Sequence, residues 1–331
     1  MKETRNRMIR LEDVKMYFQS RKGLFKTVEI KAIDGVSVEI DKGKTLALVG
    51  ESGSGKTTLG RLTLRLLKPT AGHVFFEDLN ITDLEEVHLK SFRRRAQAIF
   101  QDPYSSIDPF MNVHQIVEEP LIIHRIGKKK ERNEMVHKAL EDVRLTPTQE
   151  FSNKYPHMLS GGQRQRVGIA RALILKPEYI VTDEPVSMID ASSRAEILHL
   201  MKNLQDKYRI TVLYITHDIA TAKYFADRIA VMYNGRIVEI GPPEKVVKEP
   251  IHPYTIKLLA AVPEPDPSNR FKERGVVEGE PPNPADIQWG CRFESRCQLQ
   301  KEDNCKSKQP TLVQIKPEHY VACFLKDKDK S

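Results

Sequence analysis

Eight residues, Gly50-Glu-Ser-Gly-Ser-Gly-Lys-Thr57, fit the pattern G-x-x-x-x-G-K-[ST] without a departure, and Thr58 follows. Glycines at this spacing let backbone N–H groups turn toward an anion, a lysine behind them neutralises phosphate oxygens, and the next hydroxyl can ligate magnesium. Gly50, Ser52, Gly53, Ser54, Gly55, Lys56, Thr57 and Thr58 are therefore candidate ligands for ATP, with Thr57 on Mg2+. A glycine-rich turn with a chance lysine is the competing reading. The carboxylates Asp183 and Glu184 end an apolar run, YIVT. Asp183 is suited to the magnesium shell and Glu184 to polarising an attacking water, although such a pair can also be a solvated turn. His217 follows the run TVLYIT, where a lone histidine is structural more often than not.

The surrounding sequence supplies elements to hold these groups. TLALVG (45–50), YIVTDE (179–184) and TVLYIT (211–216) are continuous apolar runs of the kind buried on both faces of a parallel sheet. Their C-terminal ends are then expected at one edge, where ligands of α/β sheets bind. GGQRQRVGIARALILK and DASSRAEILHLMKNLQDKY read as intervening helices. Short alternating runs between Ile9 and Ile40 predict an N-terminal antiparallel β subdomain, and residues 103–160 an inserted helical subdomain. Lys128, Lys129 and Lys130 read there as a solvated surface, and Arg93, Arg94 and Arg95 as an exposed basic patch. Asn234-Gly235 is a two-residue turn signal that predicts a hairpin over 229–241. Prolines cluster after residue 250, so the expected division is 1–250, a nucleotide-binding domain, and 251–331, an extension.

The chain has 331 residues, 40% hydrophobic and 30% charged, with a formal charge of +8. This is the composition of a globular protein, and no run approaches the 18 or so apolar residues that would cross a bilayer. Residence in the cytoplasm is expected unless a partner holds the chain elsewhere.

Leu159-Ser160-Gly161-Gly162-Gln163 is identical to LSGGQ, the signature of the ABC (ATP-binding cassette) ATPases, and with the P-loop it marks a resemblance to that family. The fold implied is a P-loop α/β cassette with a mostly parallel central sheet. The resemblance makes Gln101 the Q-loop residue that senses magnesium and water, Asp190 the D-loop aspartate, and His217 the switch histidine on the γ-phosphate. Phe18 or Tyr17 would stack on adenine. Ser160, Gly161, Gly162 and Gln163 would reach the γ-phosphate held by an opposing subunit, so that two chains clamp ATP head to tail. Only 104 positions separate Lys56 from Ser160, which leaves no room for the long coiled coil of chromosome-organising relatives.

GESGSGKTTLGR, IFQDPYSSIDPFMNV, KYPHMLSGGQRQR, DEPVSMIDASS and HPYTIKLLAAVPEPDP resemble the ATPases of oligopeptide/dipeptide importers, and DEPVS and QDPYSS favour their F-type member over the D-type. The resemblance implies a D-type ATPase partner, two transmembrane permease subunits, an external substrate-binding protein, a peripheral place on the cytoplasmic face of the membrane, and no nucleic-acid partner. Peptide is the implied cargo, with oligosaccharide or nickel as alternatives in the same subfamily. All four cysteines, Cys291, Cys297, Cys305 and Cys323, fall after the first 290 residues with spacing C-x5-C-x7-C-x17-C. Three readings stay open: a [4Fe-4S] cluster, as in some members of the subfamily, a structural zinc, or unmetallated thiols. Arg292, Arg296 and Lys301 would offset the charge of four thiolates.

Overall fold

The structure is a computed structural model describing residues 6–22, 26–102, 107–261, 289–299 and 303–324. Residues 103–106 of the QDPYSS motif, the proline-rich stretches 262–269 and 279–286, and Lys301 lie outside the described residues. In chain order the strands are β1 (Arg7–Lys22), β2 (Lys26–Asp41), β3 (Thr45–Val49), β4 (Ala71–Phe76), β5 (Leu79–Asn80), β6 (Ala96–Ile99), β7 (Tyr179–Asp183), β8 (Thr211–Thr216), β9 (Arg228–Tyr233), β10 (Arg236–Gly241), β11 (Val313–Lys316) and β12 (His319–Val321). The helices are α1 (Lys56–Thr63), α2 (Glu86–Arg95), α3 (Val113–Ile123), α4 (Lys129–Asp142), α5 (Thr148–Ser152), α6 (Gly161–Leu173), α7 (Ala191–Tyr208), α8 (Ile219–Phe225), α9 (Pro243–Lys248), α10 (Pro253–Ala260) and α11 (Asp303–Ser307).

The chain forms two compact units, one of residues 1–8, 41–44 and 83–213, the other of 9–40, 45–82 and 214–331. In the second unit β2, β1, β4 and β5 form the expected N-terminal sheet, with β1 antiparallel to β4. Its alternation is real: Ile9 and Leu11 are buried while Glu12 is exposed. β3 is buried throughout and runs parallel to β9, as its unbroken apolar run requires. β9 and β10 form the predicted hairpin, with Asn234 at φ 42° and Gly235 at φ 81°. Both values are left-handed, as the two-residue turn demands, and asparagine and glycine tolerate them best.

β12 pairs antiparallel with β10, and β11 with β12. Strands from the expected extension thus continue the sheet that holds the nucleotide loop. The join encloses a polar group: the side chain of Glu239 on β10, fully buried, accepts from Ile251 N–H (3.0 Å) and His252 N–H (2.9 Å) and lies 2.7 Å from His319 Nε2 on β12.

In the first unit β6 runs parallel to β7, and α3, α4 and α6 pack together. α3 starts with a capping box, Asn112 and Gln115, and buries Val113, Ile116, Val117 and Leu121. Helices fill the described part of 103–160, and Lys128–Lys130 are exposed, both as expected. The basic patch at 93–95 needs correction. Arg93 pairs with Glu86 (2.7 Å) and Arg95 grips Glu178 with two bonds (2.5 and 2.7 Å), so these two arginines are half-buried links within the unit and only Arg94 stands exposed. Among the described residues no helix is long and apolar enough to cross a membrane.

Candidate functional site

In the second unit the chain leaves β3 at Gly50 and makes the loop that opens α1. The hairpin is part of its seat. A Cβ on Gly50 would lie 2.2 Å from the Met232 carbonyl oxygen, and one on Gly55 2.5 Å from that of Ala32. Gly55 also holds φ 104°, a conformation that side chains resist. Gly235 N–H donates to the Ser54 carbonyl at 2.9 Å, bracing the loop from the hairpin tip. Lys56 is buried, and its Nζ donates to the carbonyls of Gly50 and Glu51, both at 2.8 Å. An ammonium held inside a glycine-bent loop at a helix N-terminus is an arrangement for binding phosphate. Ser54 is buried, Thr57 and Thr58 are half-buried in the first turn of α1, and Ser52 and Gly53 are exposed.

Tyr17 and Phe18 are neighbours on β1, and neighbours on a strand face opposite ways. The Tyr17 hydroxyl donates to Asp34, and burial together with that carboxylate pushes the phenol well above its ordinary range. Phe18 is 37% exposed, so it is the ring of the pair that offers a surface for stacking. His217 is exposed just past β8, beside Asp218, whose side chain caps α8.

The first unit holds the remaining candidates. Asp183 ends the buried strand β7 and Glu184 follows it at φ 46°. Gln101 Nε2 donates to Glu184 Oε2 at 3.1 Å, so residues 83 positions apart meet. Ser160 is the N-cap of α6: its hydroxyl accepts from Gln163 N–H (3.3 Å) while the Gln163 side chain accepts from Ser160 N–H (3.0 Å). Gly162 lies close to α7, with a Cβ there falling 3.4 Å from Ser193. Asp190 caps α7, accepting from Ser192 Oγ and Ser193 N–H, and these bonds lower its pKa below the usual carboxylate value.

Near the second unit's C-terminus the Cys291 N–H donates to the Cys305 carbonyl at 2.7 Å, and a Cβ on Gly290 would lie 2.2 Å from that same oxygen. Burial pushes the Cys291 thiol up to about 11, and Cys305, Cys323 and Cys297 add to the rise, against a bond from Phe293. The expected metal site at these cysteines finds no support. Among the described residues no group of three or more Cys, His, Asp or Glu stands close enough to ligate an ion.

The sequence reading missed the supports of the loop. Glu51 occupies a variable position of the motif, and its N–H donates to the Tyr254 hydroxyl at 2.8 Å. Its carboxylate meets Arg296, which the sequence suggested only as a counter-charge for cysteines. No local pattern announces a contact across 245 positions.

Comparison with known proteins fits this geometry. Residues 33–187 match the ABC transporter family, and residues 238–305 match the oligopeptide/dipeptide transporter C-terminal region. The oligopeptide transport ATP-binding protein AppF of Bacillus subtilis is 44% identical over 322 residues, covering 96% of this chain and 97% of its own. The dipeptide transport ATP-binding protein DppF of Haemophilus influenzae is 44% identical, covering 94% of each. Among solved structures, the dimeric post-hydrolysis state of the ATP-binding cassette MJ0796, bound to ADP and Pi, superposes with a TM-score of 0.63 at 31% identity, over 71% of this chain and 99% of that one. With the P-loop and signature built as described, the chain belongs to the ABC transporter family of ATPases, in the branch that carries the oligopeptide/dipeptide C-terminal region.

Proposed function

We propose that the chain binds and hydrolyses Mg-ATP as the F-type motor subunit of an importer of di- or oligopeptides, at the cytoplasmic face of the membrane. The observation that carries this is the loop Gly50–Thr58, shaped by backbone contact at Gly50 and Gly55 and holding a buried ammonium. Gly50, Ser52, Gly53, Ser54, Gly55, Lys56 and Thr58 hold the phosphates, Thr57, Gln101 and Asp183 the magnesium shell, and Phe18 the adenine. Glu184 polarises the attacking water, positioned by Gln101, and His217 contacts the γ-phosphate. Ser160–Gln163 and Asp190 serve the opposing subunit, a D-type ATPase. Two permease subunits and an external binding protein complete the machine, and the cargo is peptide, in keeping with oligopeptide transport by AppF and dipeptide transport by DppF. The division is 1–250, the nucleotide-binding domain, and 251–331, the oligopeptide-importer-type extension with the four-cysteine site.

We read Cys291, Cys297, Cys305 and Cys323 as the ligands of a [4Fe-4S] cluster, because their spacing resembles the C-terminal region of this branch. Such a group supplies cross-links among four chain positions and takes no part in hydrolysis. Anaerobically purified protein is expected to be brown and to contain iron and sulfide; colourless protein with stoichiometric zinc overturns the assignment.

The ATPase roles are tested by two substitutions in the assembled importer. Glu184→Gln keeps nucleotide binding and lowers turnover by roughly 10²- to 10⁴-fold, the range for loss of a general base. Lys56→Ala weakens binding itself. Wild-type turnover in Glu184→Gln would remove Glu184 from its role.

A further inference from the structure

The second unit contains a connection between its cysteine-bearing segment and its phosphate loop. Arg296, adjacent to Cys297, has a side chain only 6% exposed, and its guanidinium makes a two-point pair with Glu51: Nη1 to Oε2 at 2.9 Å and Nη2 to Oε1 at 3.2 Å. It also donates to the Tyr233 hydroxyl at 3.3 Å. The Tyr233 ring packs against Tyr254 (4.6 Å between centroids) and edge-on against Phe293 (5.2 Å). Tyr254 closes the circuit, because its hydroxyl accepts from the Glu51 N–H. Glu51 is therefore held at backbone and side chain alike by groups outside the loop.

A second link leaves the same segment. Arg292, 4% exposed, pairs with Asp34, which also receives Arg236 (3.2 Å) and the Tyr17 hydroxyl. Tyr17 precedes Phe18, the candidate adenine platform. Burial works to raise the Asp34 pKa, yet the Tyr17 bond and the two arginines hold it below the ordinary value, in keeping with an ionised anchor.

Glu51 presents a problem that Arg296 resolves. A carboxylate within a phosphate-binding loop repels the anion that the loop must hold. A two-point arginine pair both neutralises that charge and fixes its direction, which a flexible lysine does less well. Lys56 bonds the Glu51 carbonyl, so displacement of residue 51 is transmitted to the phosphate-binding ammonium.

We propose that Arg296 is a positioning residue for ATP binding: by clamping and neutralising Glu51 it makes the affinity of the phosphate loop depend on the cysteine-bearing segment. The proposal rests on the assignment of the loop to ATP, which Lys56→Ala tests separately.

The experiment measures Mg-ATP affinity with a fluorescent ATP analogue on the full chain, and kcat and KM for ATP in the assembled importer. Arg296→Ala is expected to raise Kd and KM about 10-fold with kcat within about 2-fold, the signature of lost uniform binding. Arg296→Lys keeps the charge and loses about 3-fold. The double variant Arg296→Ala with Glu51→Gln removes the uncompensated carboxylate and recovers most of the affinity that Arg296→Ala loses. Wild-type Kd in Arg296→Ala, or a double variant weaker than that single one, overturns the proposal. Should Arg296→Ala not fold, Arg296→Gln with and without Glu51→Gln gives the same comparison. If Lys56→Ala binds normally, the loop assignment fails instead; if Lys56→Ala is impaired and Arg296→Ala is not, only the present proposal fails.

Discussion

His252 shows how much one side chain can decide. It caps α10, its Nδ1 accepting from Tyr254 N–H at 3.1 Å, and complete burial depresses its pKa to about 4 despite the nearby Glu239. Protonation would turn that acceptor into a donor facing a donor. In the window between about 4 and 6.5 the unfolded chain binds a proton at this site and the folded chain does not, so stability falls as pH falls through it. At about 1.4 kcal/mol per pKa unit the loss by pH 4 is at most about 3 kcal/mol. Urea unfolding at pH 7.5, 6 and 5 should show this decline, and His252→Asn, which can cap without titrating, should flatten it. An equal slope in both proteins would assign the acid sensitivity elsewhere. Glu184 illustrates the limit of sequence reading at the same scale. Its place after an apolar strand marks it as a candidate base, but neither its left-handed φ nor its bond from Gln101 has a sequence signal, since both arise from the fold.

At the scale of elements, the docking of β12 onto β10 turns on the Glu239–His319 pair. Both side chains are fully buried, and Glu239 is the acceptor for two further N–H groups. Glu239→Ala leaves these donors unpaired, and each buried group left unsatisfied costs about 1–3 kcal/mol. A large drop in the urea midpoint is expected; a change under about 1 kcal/mol would mean that water replaces the carboxylate. The elements read correctly from sequence were those with strong local causes. The buried run of β3, the Asn-Gly turn between β9 and β10, and the helical run from Gly161 each carry their signal within a few residues. β11 and β12 are four and three residues long and half-exposed or mixed in burial, so their pairing is decided by β10 and not by their own pattern. The arginine run was misread for a related reason. Charge in sequence predicts exposure until an acid from elsewhere, here Glu178, arrives to pair with it.

For the whole molecule, the proposed clamp predicts that the chain alone hydrolyses Mg-ATP slowly and that the rate rises when the D-type ATPase and the permeases are added. The reason is that a lone chain lacks the signature N–H groups expected from its partner on the γ-phosphate. Phosphate release measured on a strictly monomeric preparation checks this, and full activity there would exclude the clamp. The late position of β12 has a different consequence, one for synthesis. After Gly241 leaves the ribosome about 80 more residues must follow before Val321 does, which at 5–20 residues per second is about 4–16 s. Throughout that interval the outer edge of β10 has no partner, and unpaired edges invite association with other nascent chains. Glu239 sits on that edge. Before His319 is made its carboxylate is a charge where an intruding strand would have to bury it, so the residue that later secures the sheet first guards it.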